Sequence, residues 1–374
     1  MRKELKASTQ IAANRLGILL WLPGVFLFLV LLLSGVLSLL YPTTFPSLRL
    51  SKLMNGEWTV DYQKNYEDGL ILKEPALAIW TAIRYVLFAE GQEGVLIGED
   101  GWLYTTEEFR EMDRTGRTMA EALEYIREVR DALSARGIVL VVVLVPTKAG
   151  IYSEHLERYE LPSSVSRRYE IVRQKILSLG IDTPDLMTTL LQAKQKSDVF
   201  LKTDTHWTAY GARIVAEALG GVVGPKLNSL GSLRGNYTTE HLGQREWRGD
   251  LLNFIPLGPL LAVLELPMDT IEEVVTIDAS ESTLGLFDEL QIPVALVGTS
   301  YSTGEAWNFY GALRVALQAD VLNTAIEGQG PFVPMKRYLE SPTLDDPRPD
   351  VVIWEIPERY LGTKPPFGTG AKSY

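Results

Sequence analysis

The chain has 374 residues, with 36 basic and 47 acidic side chains, a formal net charge of −11, three histidines and no cysteine. Without cysteine there is no disulfide framework, thiolate metal site or cysteine nucleophile. An acidic balance argues against nucleic acid as a partner, because phosphate binding needs clustered positive charge.

The charge is unevenly placed. Residues 1–15 hold Arg2, Lys3, Lys6 and Arg15 against Glu4, a net +3 that leaves −14 for the rest. Leu16 to Leu48 carries no charge. Its core, Leu16–Leu40, has 25 residues, enough to cross a hydrocarbon layer of about 30 Å as a helix. Trp21 and Tyr41 stand where interfacial aromatics belong. A cleavable signal peptide would have a shorter apolar core and a small-residue cleavage site. The segment is therefore read as a transmembrane signal anchor over 16–40. Residues 1–15 form a cytoplasmic arm, and everything after Tyr41 lies across the membrane. Residues 41–90 read as a juxtamembrane region with a helical pattern near Ala76–Phe88.

From about Gly91 the pattern alternates. Val95–Thr105 reads as strand, turn and strand. Met119–Gly137 predicts a helix burying Ala122, Tyr125, Ile126, Val129 and Leu133. Gly137–Lys148 is a β-branched run suited to a strand buried on both faces. Helices follow over Ser166–Gly180 and Thr208–Leu219, with Thr208 a fitting N-cap. Ile292–Ser300 is a second buried strand, Trp307–Gln318 a helix, and Pro349–Tyr360 a last buried strand. This order predicts an α/β domain over 91–374 with a doubly wound, mainly parallel sheet. The stretch 221–290 reads as an insertion.

Functional groups in such sheets gather at the carboxyl ends of strands. In K-T-D-T-H-W, Asp204 stands two residues before His206, close enough to orient an imidazole as a base. The same pair also suits an ordinary turn and a surface histidine. In V-G-T-S-Y-S, Ser300 follows a buried strand and precedes a helix, where it either projects a nucleophile or caps the helix. His155 and His241 sit in ordinary polar contexts, so no metal site is expected.

These residues carry a family resemblance. Val145–Tyr152, Thr203–Ala212, Gly249–Leu252, Val297–Ser302 and Val352–Leu361 resemble the alginate O-acetyltransferases of the AlgJ/AlgX type, which contain an SGNH-hydrolase-like domain. The resemblance implies Ser300 as nucleophile, His206 as base and Asp204 as its orienter, in an order permuted from ordinary SGNH enzymes. It implies acetyl transfer to an exopolysaccharide in the bacterial periplasm without a cofactor. It also implies an inner-membrane O-acyltransferase partner that supplies the acetyl group. Tyr360 and Arg359 are candidates for the oxyanion donor, with a Glu355–Arg359 ion pair as the structural alternative. Lys148 and Arg337 are candidates for binding a polyanion. With 13 residues after Leu361, the expected plan is the membrane-anchored AlgJ one, without a carbohydrate-binding module. The −14 portion fits a neutral glycan such as cellulose at least as well as alginate. An acetylesterase of the same fold and a non-catalytic scaffold subunit are the alternatives.

Overall fold

The computed structural model describes residues 21, 24–37, 45–69, 73–111, 115–231, 235–279, 292–362 and 365. The arm 1–15 and the remaining positions of the expected anchor lie outside these residues. Residues 24–37 are helical, with side chains such as Phe26, Phe28 and Leu31 exposed. Among the described residues no helix is long and apolar enough to cross a membrane. The chain divides into two compact units, one of residues 1–87 with 256–265 and the other of residues 88–255 with 266–374.

In the first unit the stretch after Leu48 forms three helices, α1 (Leu50–Met54), α2 (Glu57–Gly69) and α3 (Lys73–Phe88). Trp58, Tyr62 and Tyr66 stack along one side of α2 at one-turn spacing, and Phe45 stacks on Tyr62.

The second unit begins with a short antiparallel pair, β1 (Val95–Ile97) and β2 (Leu103–Thr105). Next comes α4 (Arg117–Ser134), which buries Ala122, Tyr125, Ile126, Val129 and Leu133, the face its 3.6-residue spacing predicts. The chain then runs through β3 (Val139–Val145), α5 (Lys148–Ile151), α6 (Arg168–Ser178), α7 (Leu186–Ala193) and α8 (Ala209–Leu230). A hairpin of β4 (Tyr237–Trp247) and β5 (Asp269–Asp278) follows. The order closes with β6 (Val294–Val297), α9 (Ser300–Thr303), α10 (Phe309–Leu317), β7 (Val321–Asn323), α11 (Phe332–Leu339) and β8 (Val351–Pro357).

The four central strands are parallel, in the order β3–β8–β6–β7. All seven residues of β8 are buried, which is why its sequence is apolar without alternation. Side chains still alternate in direction. Trp354 packs edge-on against Tyr125 of α4 and Phe332 of α11. Its neighbour Glu355 reaches instead for Thr299 and Ser302 at the end of β6.

The stretch expected as an insertion from 221 differs at its start. Helix α8 continues to Leu230 through three glycines and Pro225, because Val223 and Leu227 keep the buried face going. Tertiary burial outweighs the low local propensity there.

Candidate active site

The loop that carries Asp204 and His206, the candidate acid–base loop, is a short turn whose ends are pinned together. Leu201 N–H donates to the His206 carbonyl, and Thr208 N–H to the Val199 carbonyl, both at 3.0 Å. The Thr208 hydroxyl then accepts from Gly211 N–H at 3.0 Å and caps α8, the expected role. This geometry leaves Asp204 and His206 side by side on the turn.

His206 Nδ1 lies 2.6 Å from Asp204 Oδ1, and His206 Nε2 lies 2.7 Å from Ser300 Oγ. The imidazole stacks on Trp307 at 4.1 Å between centroids, with planes 12° apart. The second Asp204 oxygen accepts from Trp247 Nε1 at 2.9 Å and from Asp250 N–H at 3.1 Å. Burial pushes the Asp204 carboxyl up, but the His206 and Trp247 donors outweigh it and hold the acid well below the ordinary carboxylate range. Asp250 moves the other way: its burial, with the Asp204 charge beside it, raises its pKa.

Ser300 sits where β6 ends and α9 begins. Thr299 N–H donates to Glu355 Oε2 at 2.7 Å, and the hydroxyls of Thr299 and Ser302 donate to the same carboxylate. This fully buried acid, its pKa raised by burial, ties three points of the serine turn to β8. Gly298 leaves room for it, since a Cβ there would stand 2.5 Å from Glu355 Oε2. A second tie runs from the Tyr301 hydroxyl to the Thr205 carbonyl at 2.5 Å, joining the serine turn to the acid–base loop.

Asp204, His206 and Asp250 hold metal-type ligand atoms within 4.8 Å of one another. Proton donors already engage the carboxylates: Thr205 N–H and hydroxyl donate to Asp250 at 2.8 and 2.6 Å, and the Asp204 oxygens are engaged as above. The His206 Nε2 atom faces a hydroxyl. Trp307 also lines a cavity of about 480 Å³ with Tyr210, Arg213, His241, Glu272 and Asn308.

The structure brings Asp204, His206 and Ser300 together and sends the other candidates elsewhere. Lys148 is not a strand-end surface charge open to a polyanion. It is fully buried, and its ammonium donates to the carbonyls of Leu201, Lys202 and Asp204 at 3.1, 3.1 and 2.7 Å. Burial pushes its pKa down to about 8, although nearby carboxylates pull the other way. Three carbonyl dipoles converging on one point need a cation, which explains a lysine in the interior. Arg359 does not pair with Glu355, which Thr299 and Ser302 occupy. It is buried, donates to the Tyr301 hydroxyl at 3.3 Å and pairs with Glu107 at 3.3 Å. Tyr360 packs over Gly330 and beneath the Arg359 guanidinium. Arg337 is exposed on α11.

Sequence reasoning missed Trp247 and Trp307, gave Glu355 the wrong partner in Arg359, and assigned no role to Asp250 within G-D-L-L. Trp247 and Asp250 lie in the stretch read as an insertion, more than 40 residues from Asp204. An acid within an apolar buried strand was the available signal for Glu355, since a buried carboxylate requires partners.

A parallel α/β sheet with a serine on a tight strand-to-helix turn, facing a histidine and an aspartate on a neighbouring loop, defines an SGNH-hydrolase-like protein. The profile described as SGNH hydrolase-like domain, acetyltransferase AlgX, matches residues 95–358, and the chain belongs to this acetyltransferase family. The probable alginate O-acetylase AlgJ of Pseudomonas syringae pv. tomato is 38% identical over 335 residues, 89% of this chain and 85% of the relative. The probable alginate O-acetylase AlgJ of Azotobacter vinelandii is 40% identical over 83% of this chain and 80% of its own length. Among solved structures, the O-acetyltransferase domain of Pseudomonas putida AlgJ superposes with a TM-score of 0.67 at 40% identity, covering 72% of this chain and 93% of that one. Pseudomonas aeruginosa AlgX shares the fold, with a TM-score of 0.58 at 24% identity over 77% of this chain and 67% of its own.

Proposed function

We propose that the chain is a periplasmic O-acetyltransferase, anchored in the inner membrane through residues 16–40, that places acetyl groups on alginate hydroxyls through an acetyl-Ser300 intermediate. The observation that carries this reading is the unbroken hydrogen-bond chain from Ser300 Oγ through His206 to Asp204, with distances of 2.7 and 2.6 Å. His206 Nε2 takes the Ser300 proton as Oγ attacks the acetyl carbonyl, and returns it to the departing donor group. A sugar hydroxyl then gives its proton to His206 and attacks the acetyl-serine carbonyl, and the proton passes back to Ser300 Oγ. Asp204, kept ionised, holds Nδ1–H and stabilises the imidazolium formed at both stages. Ser300 opens helix α9, so its own N–H has no intrahelical acceptor and is free to meet the oxyanion.

Alginate is the substrate in the relatives' names, and this outweighs the charge argument for a neutral glycan. The acetyl donor in this reading is a membrane-bound O-acyltransferase.

The test uses the purified full chain with an activated acetyl ester and a short uronate oligosaccharide. Mass spectrometry should find acetylated sugar. Ser300→Ala should lower ester turnover by up to about six orders of magnitude, as loss of an activated nucleophile does. Undiminished turnover in that variant would sink the acyl-enzyme. Free acetate without acetylated sugar would make the protein an esterase.

A further inference from the structure

Helix α3 is turned inside out for a water-facing helix. Its large apolar residues Ile79, Trp80, Ile83 and Leu87 recur at spacings of three and four and form one stripe. That stripe faces outward: Trp80 is 58% and Leu87 68% exposed. The buried side holds the small residues Ala78 and Thr81. Ala78 is backed within the same unit by Gly258, where an added Cβ would stand 3.5 Å away. The 256–265 segment around Gly258 is uncharged from Pro256 to Leu264 and exposes Leu261 and Val263. An apolar stripe of this kind in water is a surface awaiting an occupant.

We infer that α3 and the 256–265 segment lie at the headgroup–acyl boundary of the lipid bilayer, with the apolar stripe turned into the acyl region, as a second membrane contact. The inference rests on the proposed anchor at 16–40. Two features favour lipid as the occupant. The uncharged stretch ends at Leu48, and α3 begins at Lys73, with helices α1 and α2 taking up most of the chain between. Helix advances only about 1.5 Å per residue, so α3 stays within reach of the membrane surface, where a tether raises its effective concentration. The stripe also has the composition of an interfacial helix: tryptophan among aliphatic residues, with Lys73 and Arg84 on the same helix. The consequence is two-point attachment, which limits how far this unit can tilt from the membrane surface.

The absence of cysteine makes a direct test clean. Single cysteines at Ile83→Cys, Val30→Cys and Lys175→Cys are labelled with bimane in the full chain. Each protein is reconstituted in vesicles of phosphatidylethanolamine and phosphatidylglycerol. Brominated lipids report contact with the acyl region, and iodide reports contact with water. The label at 83 should lose fluorescence to brominated lipid and resist iodide, as at 30, while the label at 175 does the reverse. Position 83 behaving like 175 while 30 is lipid-quenched would overturn the membrane contact and leave the anchor standing. Protection of 83 from both quenchers would also overturn it, by showing that protein covers the stripe. Iodide quenching at 30 would remove the anchor itself.

Discussion

Asp204 engages fixed donors with both carboxylate oxygens, so the imidazole it orients has a rigid support. Trp247 supplies one of those donors from the hairpin. Replacing it with phenylalanine keeps an aromatic body and deletes one hydrogen bond to a charged group, worth about 1.5–3 kcal/mol. Trp247→Phe should therefore reduce kcat for a small acetyl ester roughly 10- to 100-fold. An unchanged kcat in steady-state assays would remove Trp247 from the positioning of Asp204. Lys148 acts one step further back, gathering three carbonyls of the loop that carries Asp204. An ammonium has three N–H donors and a neutral amine two. Ester turnover should therefore decline above about pH 8, where this buried group loses its proton. The sign for stability is opposite. Between about 8 and its ordinary 10.5 the unfolded chain keeps the proton that the folded chain sheds, so this group's contribution to stability rises with pH across that window. Lys148→Met leaves the carbonyls unpaired and should cost on the order of 3 kcal/mol in chemical denaturation.

At the scale of elements, the hairpin and the loop after β4 clamp the acid–base turn. Asp269 at the start of β5 accepts from the N–H groups of Lys202 and Thr203 at 2.7 and 2.8 Å, and Asp250 does the same for Thr205. Gly249 permits the close approach, because a Cβ there would stand 2.1 Å from the Thr203 carbonyl oxygen. Backbone cannot yield as a flexible side chain does. Gly249→Ala should lower stability by about 1–3 kcal/mol, as overpacking does, and lower kcat as well, because Asp250 and Trp247 move with the clamp. Thermal melts and ester assays on one preparation check both. A variant with normal Tm and kcat would show that the loop holds its shape without the clamp. The serine turn has its own brace in Glu355, three hydrogen bonds from a strand to the turn beside it.

For the whole molecule the decisive quantity is charge. Residues after the basic arm carry −14, and a uronate polymer is also anionic. Like charges slow encounter at low salt, and a Debye length of about 8 Å at physiological ionic strength screens them. Under the proposed function, KM for a uronate oligosaccharide should fall as salt is raised from about 10 mM to about 150 mM, with kcat unmoved. A KM that rises with salt would point to a locally basic acceptor site.

Periodicity and composition alone determined the buried faces of α4, β3 and β8, because burial is written residue by residue in a 3.6 or continuous apolar pattern. Local chemistry marked Asp204 and His206, two positions apart on one turn, and Ser300 at a strand end. What it left open was partnership. Whether Lys148 met solvent or three carbonyls, and whether Glu355 met Arg359 or Thr299, depended on contacts between residues more than 50 positions apart. The same holds for Trp247 and Asp250, which reach Asp204 from a stretch that looks like a spacer. Side-chain type limits what a residue can donate or accept. Only the packing of distant segments against one another decides which donor meets which acceptor, and here that packing unites Ser300, His206 and Asp204.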